Sequence, residues 1–144
     1  MAKIEEFLSE KDEKEVIEAI QAAEKNTSGE IRVHIEKDSE GEIWDRAMEV
    51  FHALKMDQTK NENGVLIYVA VEKRSFIIYG GKGINDVVSQ NFWESTKDEI
   101  QSEFKKGNFK KGLIEGILHA GEQLQEHFPW DNSDENELSD KISK

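Results

Sequence analysis

The chain has 144 residues, 36% of them hydrophobic, enough for one domain with a buried core. Its 31 acidic residues outnumber 19 basic ones, for a net charge of −12. Such a surface repels nucleic-acid phosphates and anionic lipid and attracts divalent cations. With no cysteine, disulfides, thiolate nucleophiles and Cys-ligated zinc are excluded. The opening MAKIEEFLSEKDEKE is charged throughout, and the longest apolar run, 65–71, is too short to span a bilayer. The expectation is a soluble, cytoplasmic protein with neither nucleic-acid nor membrane partners.

Residues 1–8 are expected to form a leading turn whose Phe7 and Leu8 pack on the first helix. Ser9 followed by Asp12 and Glu13 is a helix N-cap signal, and Val16, Ile17, Ile20 and Ala23 then recur at helical spacing. Ser28 and Gly29 supply a stop. From 30 to 36 the chain alternates: Ile31, Val33 and Ile35 on one face, Glu30, Arg32, His34 and Glu36 on the other. That is a half-buried strand. Beyond a polar loop over 37–42, Trp44, Ala47, Met48, Phe51 and Leu54 mark a second helix.

The stretch 63–83, NGVLIYVAVEKRSFIIYGGKG, carries two apolar runs joined by Glu72, Lys73 and Arg74, then a glycine elbow. It predicts a hairpin buried on both faces. Val88, Phe92, Trp93, Ile100 and Phe104 predict a third helix, broken at Gly107 and Asn108. Phe109, Leu113, Ile117, Ala120 and Leu124 predict a fourth, ending near Phe128 and Pro129. Glycines 112, 116 and 121 each cost that helix about 1 kcal/mol relative to alanine, and close approach to the sheet is the expected compensation. The acidic 131–144 has no periodic apolar pattern and is expected to be disordered, leaving 1–130 as the single domain.

A strand–helix–strand crossover is right-handed and makes its strands parallel. The order therefore predicts a three-layer α/β/α sandwich, with strands one and two parallel and hairpin strand three antiparallel, covered by helices. This topology gathers 28–30, 61–64 and 80–86 at one sheet edge. Glu30, Glu62, Asn63, Gly83 and Asp86 are the first choice for a metal site, because calcium takes six to eight oxygens from carboxylates, amides and carbonyls. The competing reading is turn chemistry, with Gly80, Gly81 and Gly83 at positive φ and Asn85 as a cap. The opposite edge offers Asp38, Glu40, Glu42 and Glu72, with Arg74 nearby, as the second choice. It lies at the carboxyl ends of the parallel strands, where open sheets bind ligands.

Other chemistries lack their residues. The segment GGKG is neither a Walker motif nor a dinucleotide fingerprint, and the four histidines have no paired ligand spacing. No GxSxG elbow is present, so metal-activated water is the one hydrolytic route left open.

The runs NTSGEIRVHIE at 26–36, NGVLIYVAVEKRSFIIYGGKGIN at 63–85 and GNFKKGLIEGILHAGEQLQEHFPW at 107–130 resemble the TPM domain family. The likeness reaches nearly to Trp130. Gly29, Glu30, Asn63, Gly64, Lys73, Arg74 and the glycine elbow match recurring positions, whereas relatives often carry an acidic residue at the place of Gly81. The resemblance implies an α/β/α sandwich and binding of calcium or another divalent cation. It also implies, from a plant member described as an acid phosphatase, phosphatase activity. The leading expectation is a module that binds Ca2+ or Mg2+. The alternatives are a weak metal-dependent phosphatase, with Lys82 or Arg74 stabilising phosphoryl charge, and a non-catalytic protein-interaction module with an unidentified partner.

Overall fold

Strand formation starts from the run Val65 to Ala70, which is apolar at every position and can be stable only with both of its faces covered. In the computed structural model, which describes residues 7–39, 41–59, 61–89, 91–130 and 142–144, that is what happens. The elements follow as α1 (Glu10–Glu24), β1 (Glu30–Glu36), α2 (Ile43–Ala53), a 3-10 turn (Met56–Gln58), β2 (Gly64–Ala70), β3 (Ser75–Gly80), α3 (Lys82–Asn85), α4 (Glu94–Lys105) and α5 (Phe109–His127). The sheet order is β1-β2-β3, with β1 parallel and β3 antiparallel to β2. Glu30 lies opposite Gly64 and Glu36 opposite Ala70, while Val65 lies opposite Gly80.

Period-two alternation then splits the core. Val65, Ile67 and Val69 join Ile31, Val33 and Ile35 under α1, α4 and α5, where Val16, Ile20, Ile100, Leu113, Ile117 and Leu124 are buried. Leu66, Tyr68 and Ala70 face the other way, onto Ala47, Val50 and Phe51 of α2 and onto Met56. The expected three-layer α/β/α sandwich is formed. Ser9 caps α1 as expected: the Asp12 N–H donates to Ser9 Oγ at 3.1 Å and the Ser9 N–H to Asp12 Oδ2 at 3.4 Å.

Several local expectations are corrected. The third helix is two pieces, since α3 stops at Asn85 and α4 starts at Glu94. Val88, Phe92 and Trp93 therefore lie in the connecting turns, where the Phe92 N–H bonds Ser89 O at 3.1 Å. The hairpin is not buried on both sides throughout, because β3 is an edge strand whose Ser75, Phe76, Ile77 and Tyr79 are half-buried. Nor is the polar face of β1 a solvent face, since Glu30 is 3% and His34 6% exposed.

The helix glycines admit neighbouring helices rather than the sheet. A Cβ on Gly116 would stand 2.5 Å from Ile100 Cδ1 of α4, and one on Gly121 2.8 Å from Ala23 Cβ of α1. The tail expectation falls mostly on residues 131–141, outside the described residues. The described 142–144 lie against β1, bridged through Ser143 and His34.

The glycine elbow also works differently from a turn demanding positive φ. Gly80, Gly81 and Gly83 are absent from the positive-φ positions, where Gly41, Gly107, Lys55, Glu62 and Arg74 are found. What the elbow needs is room. A Cβ on Gly83 would meet Asn61 O at 2.1 Å and Glu62 O at 2.9 Å, and one on Gly81 would meet Glu62 O at 2.5 Å. Backbone cannot swing aside as a flexible side chain can. Gly83→Ala is therefore expected to destabilise the fold by about 2 kcal/mol, overriding the helix-propensity gain of about 1 kcal/mol. Urea unfolding of the variant beside Lys82→Ala checks this. A Gly83→Ala protein as stable as the parent would refute the contact.

Candidate functional site

The first edge assembles as the topology requires. The Glu30 N–H donates to Asn63 O at 3.3 Å, the Gly81 N–H to Gly64 O at 2.9 Å, and the Gly83 N–H to Glu62 O at 2.9 Å. Loops from three parts of the chain are thus laced through backbone bonds. Their side chains divide into two levels. Glu30 and Asn63 are buried, with Asn63 Nδ2 donating to Ser28 Oγ at 3.4 Å. Glu62 and Asp86 are exposed. Lys82 Nζ donates to Asp86 Oδ2 at 3.1 Å, and its pKa is raised by that hydrogen bond and by the charges of Asp86 and Glu62. Asn85 ends α3 instead of capping its start, and its Nδ2 donates to Gly80 O at 3.2 Å.

The second edge closes on a lysine. Lys73 Nζ donates to Ser39 Oγ at 2.8 Å and to Gly41 O at 2.9 Å, and stands 3.8 Å from Asp38 Oδ1. Glu72 pairs with Lys37 at 3.8 Å. Glu42 takes the N-cap position of α2 without a side-chain cap bond. Glu40 lies outside the described residues. Among the described residues, no group of three or more histidine, aspartate or glutamate side chains is placed to hold a metal ion.

A third constellation lies between β1 and α2, and sequence reasoning missed it. Arg46 grips Glu36 with two hydrogen bonds, Nε to Oε2 at 2.8 Å and Nη2 to Oε1 at 2.9 Å. The Tyr68 hydroxyl also donates to Glu36 Oε2, and His34 Nε2 lies 2.9 Å from Oε1. Burial opposes ionisation of Glu36, but the hydrogen bonds from Arg46, Tyr68 and His34 outweigh it and bring its pKa down to about 2. Burial, with the Glu36 hydrogen bond and charge, pushes the Tyr68 phenol up. Burial pulls His34 down, with Glu36 partly offsetting it. One signal was available: a tyrosine inside an otherwise apolar strand needs a partner for its hydroxyl.

Ser143 Oγ lies 2.8 Å from His34 Nδ1, so Ser143, His34 and Glu36 have the connectivity of a charge relay. The chemistry is poor. Arg46 and Tyr68 already draw on the Glu36 charge, and a buried, pKa-depressed imidazole is a weak base. The network is a structural clamp that ties α2 to the far face of β1.

Between the hairpin turn and α4 there is also an open cleft of about 1010 Å³, with Phe7, Phe76, Phe104 and Phe109 among its walls. Its charged lining mixes signs, Arg74, Lys97 and Lys105 against Glu94 and Asp98, so it selects neither cations nor anions. None of the sequence-predicted metal residues lines it.

The family model of the TPM domain matches residues 2–123. The chain is similar to the BA42 protein of the psychrophilic bacterium Bizionia argentinensis, solved by NMR. Sequence identity is 62% and the TM-score 0.93, covering 100% of this chain and 99% of that one. An N-terminal domain from P. gingivalis shares the fold at 21% identity and TM-score 0.69, over 85% of this chain and 79% of that one. The N-terminal domain of protein cg2496 from Corynebacterium glutamicum does so at 11% identity and TM-score 0.54, over 93% and 76%. No curated protein matches the chain. Among the described residues, no helix is long and apolar enough to cross a membrane.

The clamp makes a signed prediction. Glu36 has a folded pKa of about 2 against an ordinary 4.5, so its ionised form stabilises the fold fully above pH 4.5. That contribution fades as pH falls toward 2. Glu36→Gln is expected to lose roughly 3 kcal/mol at pH 7, because Arg46 is left facing a neutral group in a partly buried site. Urea denaturation across the acid range should find the gap to the parent closing below pH 4.5. A gap of constant size from neutral pH to pH 3 would show that ionisation of this carboxylate is not its source.

Proposed function

The chain belongs to the TPM domain family, and from that premise we propose that it is a divalent-cation-binding module, taking Ca2+ or Mg2+ at the edge formed by 61–64 and 80–86. One observation carries the reading: the Gly83 N–H donates to Glu62 O at 2.9 Å, which sets the exposed Glu62 beside the turn where Lys82 Nζ bonds Asp86 Oδ2 at 3.1 Å. A positive charge is already favoured at that point. The Lys82 side chain is 72% exposed, so it can withdraw into solvent and leave its place to an ion.

The expected set is now smaller than three converging carboxylates. Glu62 and Asp86 supply the charge, while Glu30 and Asn63, being buried, support the loops from beneath. Mg2+ is commonly held by one or two carboxylates with the remaining positions kept by water, and Ca2+ accepts the same oxygens in looser geometry. Two carboxylates and a competing lysine imply weak binding, about 0.1–1 mM, the range of low-charge calcium sites. At the second edge Lys73 is held by two hydrogen bonds and Asp38, and is harder to displace.

Titration with CaCl2 and MgCl2, followed by backbone amide NMR, tests the proposal. The expected result is saturable shifts at 62–64 and 80–86, weakened about tenfold or more by Asp86→Asn and strengthened by Lys82→Ala. Shifts confined to 37–42 and 72–74 would move the site to the other edge. No saturable shift at 10 mM, about ten times the weakest affinity expected, would sink the cation reading. Chelator-sensitive turnover of a phosphomonoester, lost in Glu62→Ala, would put the phosphatase alternative ahead of it.

A further inference from the structure

In the sheet order β1-β2-β3, β1 has no full strand on its outer side among the described residues. Such an edge is a ready template for another extended chain. Two devices deal with it here. Near its start, the Ile31 N–H donates to Glu24 Oε2 at 2.9 Å. Farther along, the chain's own C-terminus lies beside it: the Ser143 N–H donates to Val33 O and the Ile35 N–H to Ser143 O, both at 2.8 Å. These two bonds form a parallel bridge.

The three terminal residues meet three different surfaces. Ile142 packs against the larger core cluster, Ser143 Oγ lies 2.8 Å from His34 Nδ1, and Lys144 Nζ pairs with Glu13 of α1. A strand laid down merely to cover polar groups would need only its backbone. Here an apolar surface, a buried imidazole nitrogen and a carboxylate are each matched by a side chain of the right kind. This is the division found in strand-addition recognition, where main-chain bonds give affinity and side-chain sites give selectivity.

We propose that the outer edge of β1 is a peptide-binding site for an extended segment with an apolar residue, a serine and a basic residue in succession. In the free chain 142–144 occupies it as an intramolecular ligand. A partner segment of the same pattern then binds by displacing the C-terminus. The resident segment is tethered, so its high effective concentration keeps the edge closed to weak or mismatched peptides. The site is independent of the cation edge, which lies at the opposite end of β1.

The test uses the full chain carrying Ser143→Pro, which removes the N–H that bonds Val33. The expected variant keeps a dispersed amide spectrum, and its Ile35 amide exchanges at least about tenfold faster than in the parent. A synthetic heptapeptide of the sequence LSDKISK, added in trans, shifts amides at 33–36 and Glu13 saturably. It binds the parent at least about tenfold more weakly, because the tail competes. The same peptide with its last serine replaced by proline leaves the spectrum unchanged. Equal binding by parent and variant, or no saturable shift at millimolar peptide, overturns the proposal. Should the variant fold poorly, Lys144→Glu, which breaks the pair with Glu13, takes its place: tighter binding of the peptide than by the parent supports the proposal, and equal binding overturns it.

Discussion

The burial of β2 on both faces is the constraint from which the rest of the architecture follows. Each of its seven residues is buried, from Gly64 to Ala70. Burying an aliphatic side chain is worth about 1.5–3 kcal/mol, and it is gained twice here only if helices cover opposite faces. The crossover through α2 covers one face and makes β1 parallel; the hairpin fixes β3; α1, α4 and α5 cover the other face. Both loop clusters are consequences of this arrangement. Parallel β1 and β2 start at one end of the sheet and finish at the other, so their connections must gather at two edges.

Charge is handled differently inside and outside this frame. Glu36 keeps its negative charge between β1 and α2 because Arg46, Tyr68 and His34 all turn toward it. A buried carboxylate without such partners would be forced to protonate. At the two loop edges the protein supplies cations of its own, Lys82 beside Asp86 and Lys73 beside Asp38. A chain of net charge −12 thereby softens its local repulsion. Lys82, with its side chain 72% exposed, is the less restrained of the two, since Lys73 is also held by Ser39 and Gly41.

The same economy governs close contacts. Gly81 and Gly83 let the elbow backbone rest on the carbonyls of Asn61 and Glu62, while Gly116 and Gly121 let α5 approach α4 and α1. The open side of β1 is shared between a glutamate from α1 and the C-terminal residues. A three-stranded sheet has two edges for one interior strand, so closure of its edges weighs heavily in so small a fold.

The sequence determined what depends on neighbours along the chain. Period-two and helical spacing marked the strands and most helices, Ser9 with Asp12 marked the first cap, and crossover handedness made β1 and β2 parallel. It also carried the likeness to the TPM domain in three blocks. Tertiary structure alone decided what depends on residues far apart. Glu36 read as a solvent-face residue until Arg46 and Tyr68 were folded onto it. Gly81 and Gly83 read as turn residues until the 61–64 loop lay against them. Three terminal residues with no periodicity gained a place only because β1 is an edge. Local propensity follows from backbone sterics over a few residues, whereas the partners of a polar group are chosen by which surfaces the finished core brings within hydrogen-bonding reach.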